Sequence, residues 1–445
     1  MKCWVFGIFA VMGLAGGCPA DMIGEWWGGS GAAGKWFGAR EELTGRGLTL
    51  GGKWLGSVYG VVGGGLERRA TFDQEMKLEA RLDIAQATGW EGLEGLTAVG
   101  GVRLREGENV NDSVGASPAF NPSSYQGGMH WRLLPFYLTY TTPELFGVPN
   151  FLTISGGWQN PFDFFARQED AKLFRNNVIV SGKGISSNGV GWSSSYAAWG
   201  GMVKVASTSL AYAQGGIYMA IPHDADTSNH GLELAGAQPW NQNGWYVLAE
   251  SGVTPKLAGL SGKYALGGYY WGLENTSFSG GECDGRFGFY AMAEQRLFRE
   301  SDSGIEMSGG RDADGKSRSL PGASKESGQG LRWLGFVNYA PDFNNCLPIF
   351  FYTGFVYEGL IPARDHDQAG VALAFGNYSQ SQIRANCEAG NPVLKTHEGV
   401  LEFEYRVQVN RWSFIQPFLQ YVIRPGGDGE VANATVLGVH FGVTF

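Results

Sequence analysis

Past its first twenty residues the chain contains no run of eighteen apolar residues, so helices cannot carry it across a membrane. Strands remain the only means of crossing. Cysteine is scarce too: there are five, Cys3 and Cys18 near the start and then Cys283, Cys346 and Cys387. Three thiols cannot all pair within one chain and none belongs to a C-x-x-C motif, so no zinc site, no other metal and no cofactor is expected. Cys346 with Cys387 would make a loop disulfide in an oxidising compartment. Charged residues are only 17% of the chain, where ordinary soluble domains carry about a quarter. The net charge of -9 comes with no basic stripe, which excludes the electrostatic footprint of a nucleic-acid-binding protein. Six dispersed histidines, with neither G-x-S-x-G nor H-E-x-x-H present, leave a hydrolase elbow or a zincin centre without support.

Glycine, by contrast, numbers 71 and aromatics make up 13%, and both recur in short alternating segments. Residues 398–445 show the pattern most clearly. Leu401, Phe403, Tyr405, Val407 and Val409 alternate with Glu402, Glu404, Arg406 and Gln408, the period of a strand with one apolar and one polar face. A helix would scatter those charges round its circumference. Leu437, Val439, Phe441, Val443 and Phe445 repeat the pattern against Gly438, His440, Gly442 and Thr444. In a soluble sandwich the apolar face would be the core; in an outer-membrane barrel it meets lipid, the polar face meets the lumen, and aromatics belong at the strand ends. A mean hydropathy of -0.14 suits the barrel, because lumen-facing and lipid-facing residues cancel within each strand.

Met1-Lys2 opens an apolar run over residues 3–17, and Ala20 places a small residue before Asp21. Residues 1–20 therefore read as a secretory signal, with lipidation of Cys18 as a minor alternative. Residues 21–445 are expected to form one barrel domain, whose first part, residues 21–46, lies at the periplasmic mouth. Residues 74–87 are ambiguous: Met76, Leu78, Ala80, Leu82 and Ile84 alternate with Lys77, Glu79, Arg81 and Asp83, yet Glu, Lys, Ala and Leu favour helices. Strict alternation of charge favours a strand lining a water-filled lumen. Residues 96–105 continue in kind, with Arg103 and Arg105 opposite Val102 and Leu104. Further candidate strands follow between residues 133 and 378, joined by short turns and by long polar stretches such as residues 300–330, which are expected outside the cell.

Three stretches then bear comparison with a known family. Residues 359–378 read G-L-I-P-A-R-D-H-D-Q-A-G-V-A-L-A-F-G-N-Y. Glu404-Tyr405 is followed by Trp412, by Q-P-F-L-Q-Y-V over residues 416–422 and by Pro425-Gly426-Gly427. Residues 63–69, G-G-G-L-E-R-R, precede Phe72-Asp73, Leu82-Asp83 and Gly89-Trp90-Glu91-Gly92. On these the chain resembles the carbohydrate-selective porins, the OprB family of Gram-negative outer membranes. Two departures are Ala363, where glycine is usual before Arg364, and His366 in the variable part of that motif.

The resemblance implies an all-β fold, a transmembrane antiparallel β-barrel of about sixteen strands with a water-filled lumen narrowed by inward-folded loops. It implies carbohydrate solutes and outer-membrane lipid as partners, and assembly machinery that recognises the strand ending at Phe445. A monomer and a homotrimer both fit. Sugar binding needs planar hydrogen-bonding groups for hydroxyls and flat apolar faces for the C–H side of the ring. Glu79, Arg81, Asp83, Arg103, Arg105, Glu402, Glu404, Arg406, Gln416 and Gln420 lie on the polar phase of their strands and are candidates for the first. Trp158 and Phe162, on an inward loop, are candidates for the second. The competing reading is that the charges brace the barrel wall and the aromatics pack. Mixed signs on one face are expected to cancel much of the field, leaving a channel only weakly selective between ions. General diffusion is the nearest alternative function; a barrel-embedded hydrolase or a surface adhesin would be of another class.

Overall fold

The computed structural model describes residues 29, 31–124, 130–180, 183–188, 196–207, 210–221, 244–300, 328–391 and 394–445. The expected signal, residues 1–20, lies outside them, as do residues 21–28 and 30. Sixteen strands form one closed antiparallel sheet. They are β1 Leu48–Gly63, β2 Ala70–Asp83, β3 Leu96–Gly107, β4 His130–Thr141, β5 Leu152–Gln159, β6 Ala198–Ser207, β7 Ala211–Met219 and β8 Trp245–Val253. The second half comprises β9 Leu260–Gly272, β10 Arg286–Arg299, β11 Gly330–Tyr339, β12 Ile349–Glu358, β13 Gln368–Asn377, β14 His397–Asn410, β15 Ser413–Ile423 and β16 Ala434–Thr444. Each pairs with its predecessor, and β1 pairs with β16, Gly56 opposite Phe441. Closure removes the exposed edges that an open sheet would leave.

Alternation decides which side chains face out. Along β8, Tyr246, Leu248 and Glu250 are buried inside the barrel while Trp245, Val247 and Val253 are exposed outside it. Phe72, Leu78, Val102, Phe403, Leu437 and Val439 are likewise exposed on the outward phase. Such a continuous apolar exterior suits lipid and not water. Among the described residues no helix is long and apolar enough to cross a membrane.

The ambiguous residues 74–87 resolve into both readings in series. They continue β2 as far as Asp83, after which Ile84–Thr88 is helical, with the Asp83 carboxylate accepting the N–H of Gln86 at 3.0 Å and Gly89 closing the helix at φ +72°. Asp83 is thus a helix cap at a turn and does not line the lumen wall. The expected outer stretch, residues 300–330, falls mostly outside the described residues, and only its flanks are placed. In an antiparallel barrel the parity of the strands, and not the length of a connection, assigns it to an end. β10 runs toward the end that holds the chain termini, so Glu300 and Gly328 sit at that end; residues 301–327 between them lie outside the described residues. At the same end Ala32 donates to the Thr444 carbonyl at 2.8 Å and Arg40 to the Phe445 carbonyl at 3.1 Å. The opposite end, called the loop end below, carries residues 108–124, 340–348, 378–391, 394–396 and 424–433. Cys283, Cys346 and Cys387 are free thiols, so the expected Cys346–Cys387 bridge is not formed.

The turn between β12 and β13 explains one family departure. Ala363 adopts φ +65°, where a Cβ is penalised and glycine is not. Arg364 grips Asp367 through two contacts of 2.9 and 2.8 Å, and Asp367 also accepts the Tyr405 hydroxyl at 2.8 Å and the Gln408 N–H at 2.9 Å. Burial works against this carboxylate, but Arg364, Gln408 and Tyr405 together hold it below the usual carboxylate range. The Arg364–Asp367 pair therefore staples a turn to β14; it is not a solute contact.

After β5 the chain turns into the barrel. Residues 160–180 and 183–188 run along the inner wall, and Phe165, Phe174, Ile179 and Ile185 are buried against wall residues Tyr59, Tyr218, Tyr246, Phe336 and Phe418. Phe336 stacks on Tyr290 at 5.7 Å and on Tyr352 at 5.1 Å. A true hydrophobic core thus lies inside the barrel.

Candidate functional site: the lumen and its inward segment

An irregular segment lying against a wall has backbone N–H groups that no ladder satisfies, and buried ones need acceptors. The polar phase of the strands supplies them. Glu402, fully buried on β14, accepts the N–H groups of Arg175 at 2.7 Å and Asn176 at 3.2 Å and the Gln420 amide at 2.9 Å. Gln416 donates to the Leu173 carbonyl at 2.7 Å and to Glu404 at 2.5 Å. Gln420 also donates to the Pro122 carbonyl at 3.1 Å. Further round the wall, Glu250 accepts the Ala166 N–H at 2.8 Å and the Tyr290 hydroxyl at 2.7 Å. Asp170 pairs with Arg332 at 2.8 Å, and Tyr352 donates to Gln168 at 2.6 Å.

Four sequence candidates are accounted for by this clamp. Glu402, Glu404, Gln416 and Gln420 point inward as alternation demands, but the segment covers them and they are 0, 4, 0 and 0% exposed. They hold the inward segment and are shut off from solute. Trp158 is corrected as well: it sits at the end of β5 and not on a loop, 2% exposed, its indole donating to the Leu133 carbonyl at 3.2 Å and its ring edge-on to Trp199 at 6.0 Å. Phe162 does lie on the inward segment, in the turn Pro161–Asp163, half-buried against the interior core. Ser57 and His440 touch at 2.9 Å, but both are buried in the wall, out of reach of any solute.

The opposite wall stays open. On β2, Lys77 pairs with Glu75 at 2.7 Å and Arg81 with Glu79 at 2.7 Å, with the side chains of Lys77, Glu79 and Arg81 about two-fifths exposed. Arg105 is buried on Glu75 at 2.5 Å and donates to the Ser124 carbonyl at 3.3 Å, so it braces the wall. Arg103 stands 4.0 Å from Glu75 and keeps partial exposure. Arg406 donates to Gln416 at 2.6 Å with its guanidinium 4.4 Å over Phe414, beside Lys53. Facing them from the inward segment are Asp163, Arg167, Glu169 and Lys172.

The signs do not cancel. Lys53, Lys77, Arg81, Arg103, Arg167, Lys172 and Arg406 face Glu79, Asp163 and Glu169, an excess of four positive charges among these described residues in a chain whose net charge is -9. Asp83 is at a turn, Glu402 and Glu404 are covered and Glu75 is taken by Arg105, so none of them adds an exposed negative charge at this gap. Lys77 was legible from its strand phase beside Glu79. Arg167 and Lys172 sit on an irregular segment where no periodicity marks them.

Residues 67–445 match the profile of the carbohydrate-selective porin, OprB family. The chain belongs to this family. Among its relatives is Porin B of Pseudomonas aeruginosa, 24% identical over 454 aligned positions that cover 93% of this chain and 90% of that one. Two structures of Pseudomonas putida OprB share the fold. The high-pH one aligns with a TM-score of 0.78 at 22% identity, covering 94% of this chain and 98% of its own; the low-pH one aligns with a TM-score of 0.57 at 17% identity. The protein is accordingly an outer-membrane porin of Gram-negative type, embedded in lipid and selective for carbohydrates.

Proposed function

We propose that carbohydrate crosses this porin through the gap bounded by β1–β3 on one side and residues 161–175 on the other. The observation that carries this is the division of labour among the inward-facing polar groups: carboxylates and amides of β14 and β15 are consumed in holding the segment, while Lys77, Arg81, Arg167 and Lys172 keep more than two-fifths of their side chains exposed. Arg81 and Arg103 supply the sugar contacts. Arginine's planar fork offers several donors to neighbouring hydroxyls at once, which a mobile ammonium does less well. Arg105 acts as a brace. Replacing Arg103 with Ala is expected to weaken sugar block of ion current about tenfold, as loss of a pair of hydrogen bonds would. Arg105→Ala is expected to lower the yield of assembled barrel instead, because it strips Glu75 of its closest partner. Planar-bilayer recordings and gel mobility with and without heating check the pair; sugar block unaffected by Arg103→Ala would remove it as a contact.

Residues 1–20 are proposed to direct export and to be removed, and β16 to be the strand that assembly machinery takes hold of. Deleting Phe445, whose N–H bonds to the Gly52 carbonyl at 2.8 Å, should lower assembled protein far more than trimming a lipid-facing side chain such as Leu437. Equal yields in the outer-membrane fraction would count against it. A monomer and a homotrimer both keep the solute route within one barrel.

A further inference from the structure

We propose a second carbohydrate site at the loop end, a docking cavity that solute meets before the gap. It rests on the carbohydrate-porin function and adds a place where the sugar first binds. The cavity measures about 510 Å³ and is formed where four loop-end segments converge: residues 117–119, the inward segment at Ser186 and Ser187, Cys346 and Leu347, and the β13–β14 connection at Tyr378, Gln382, Ile383, Asn386 and Lys395. Its frame is hydrogen-bonded throughout. Asn188 donates to the Leu347 carbonyl at 3.1 Å and accepts the Leu347 N–H at 2.7 Å; the Ser379 N–H reaches the Cys346 carbonyl at 3.1 Å. Asp342 accepts the N–H groups of Gln380 at 3.0 Å and Ser381 at 2.9 Å, fixing the start of the helix Gln380–Glu388. Tyr378 donates to Glu398 at 2.7 Å.

Into this frame the helix presents Gln382, Ile383 and Asn386, which its periodicity places on one face. The side-chain amides of Gln382 and Asn386 make no hydrogen bond among the described residues. The Ser187 hydroxyl is buried there and also has no partner among the described residues. A buried hydroxyl without a partner is a cost that a ligand's own hydroxyl removes. Lys395 lies 5.6 Å over the Tyr378 ring. Two primary amides each offer a donor and an acceptor in one plane, which matches vicinal hydroxyls, while Ile383 and Leu347 offer the apolar surface for the C–H face of a pyranose. The chemistry fits a neutral mono- or disaccharide held loosely and released inward.

The test uses the full chain in planar bilayers, with glucose and maltose as probes added from one side at a time. In the double variant Gln382→Ala/Asn386→Ala, the onset of current block by sugar added at the loop end should slow about tenfold, while onset from the termini end and the conductance in salt stay unchanged. Ile383→Trp, which fills the cavity and leaves both amides in place, should reproduce that one-sided loss. Unaltered onset from the loop end, or equal slowing from both sides, would overturn the docking site. If neither sugar blocks the unsubstituted channel from either side, the carbohydrate function of the gap fails, and the docking site with it.

Discussion

Replacing Glu402 with Ala is expected to release the inward segment and enlarge the channel. The carboxylate is fully buried and accepts from two backbone N–H groups and the Gln420 amide. Removing it leaves those donors in a dry site, a loss on the order of 3–5 kcal/mol. Part of the segment would remain attached, because Glu250, Arg332 and Tyr352 hold it further round the wall. The barrel itself, closed by its backbone ladder, should assemble as before. Single-channel conductance should therefore rise and sugar block should fall together, with heat-modifiable mobility retained. Glu402→Gln, which keeps one acceptor but turns an amide donor toward N–H groups, should lie between. Unchanged conductance in Glu402→Ala would show that the segment does not depend on this clamp.

The second large effect concerns ions. With four excess positive charges facing the gap, the porin should favour anions, against the weak selectivity that the alternating charges alone suggest. Changing Lys53, Arg167 and Lys172 together to Glu converts that excess into a deficit of two, and all three side chains are substantially exposed, so folding is little affected. Unit charges a few ångströms apart interact by about 1 kcal/mol even in water, so several acting together should shift the anion-to-cation permeability ratio by about tenfold or more. The reversal potential in a KCl gradient measures it. Because the Debye length shrinks from about 10 Å at 0.1 M to about 3 Å at 1 M, the difference should fade at high salt. A reversal potential that is the same in the triple variant would mean that these residues lie off the ion path.

The barrel was legible because alternation is written into each strand separately. Leu78 with Glu79, Val102 with Arg103, and Phe403 with Glu402 and Glu404 each assign an outer and an inner face without reference to any other part of the chain. The same local logic missed the last four of residues 74–87, which leave the sheet, since a helix of five residues at a turn is too short to show its period.

By itself, then, the sequence determined that the chain forms strands with one apolar and one polar face, as a lipid-facing barrel needs, since that follows from a backbone whose side chains alternate at every step. The tertiary structure alone decided what the inward side chains do. Whether Glu402 meets water or a backbone amide depends on Arg175, 227 residues away, and Arg175 lies on a segment held by aromatic packing and hydrogen bonds to several strands at once. No short-range pattern encodes such a contact, because its partners become neighbours only when the barrel has closed around the segment they share.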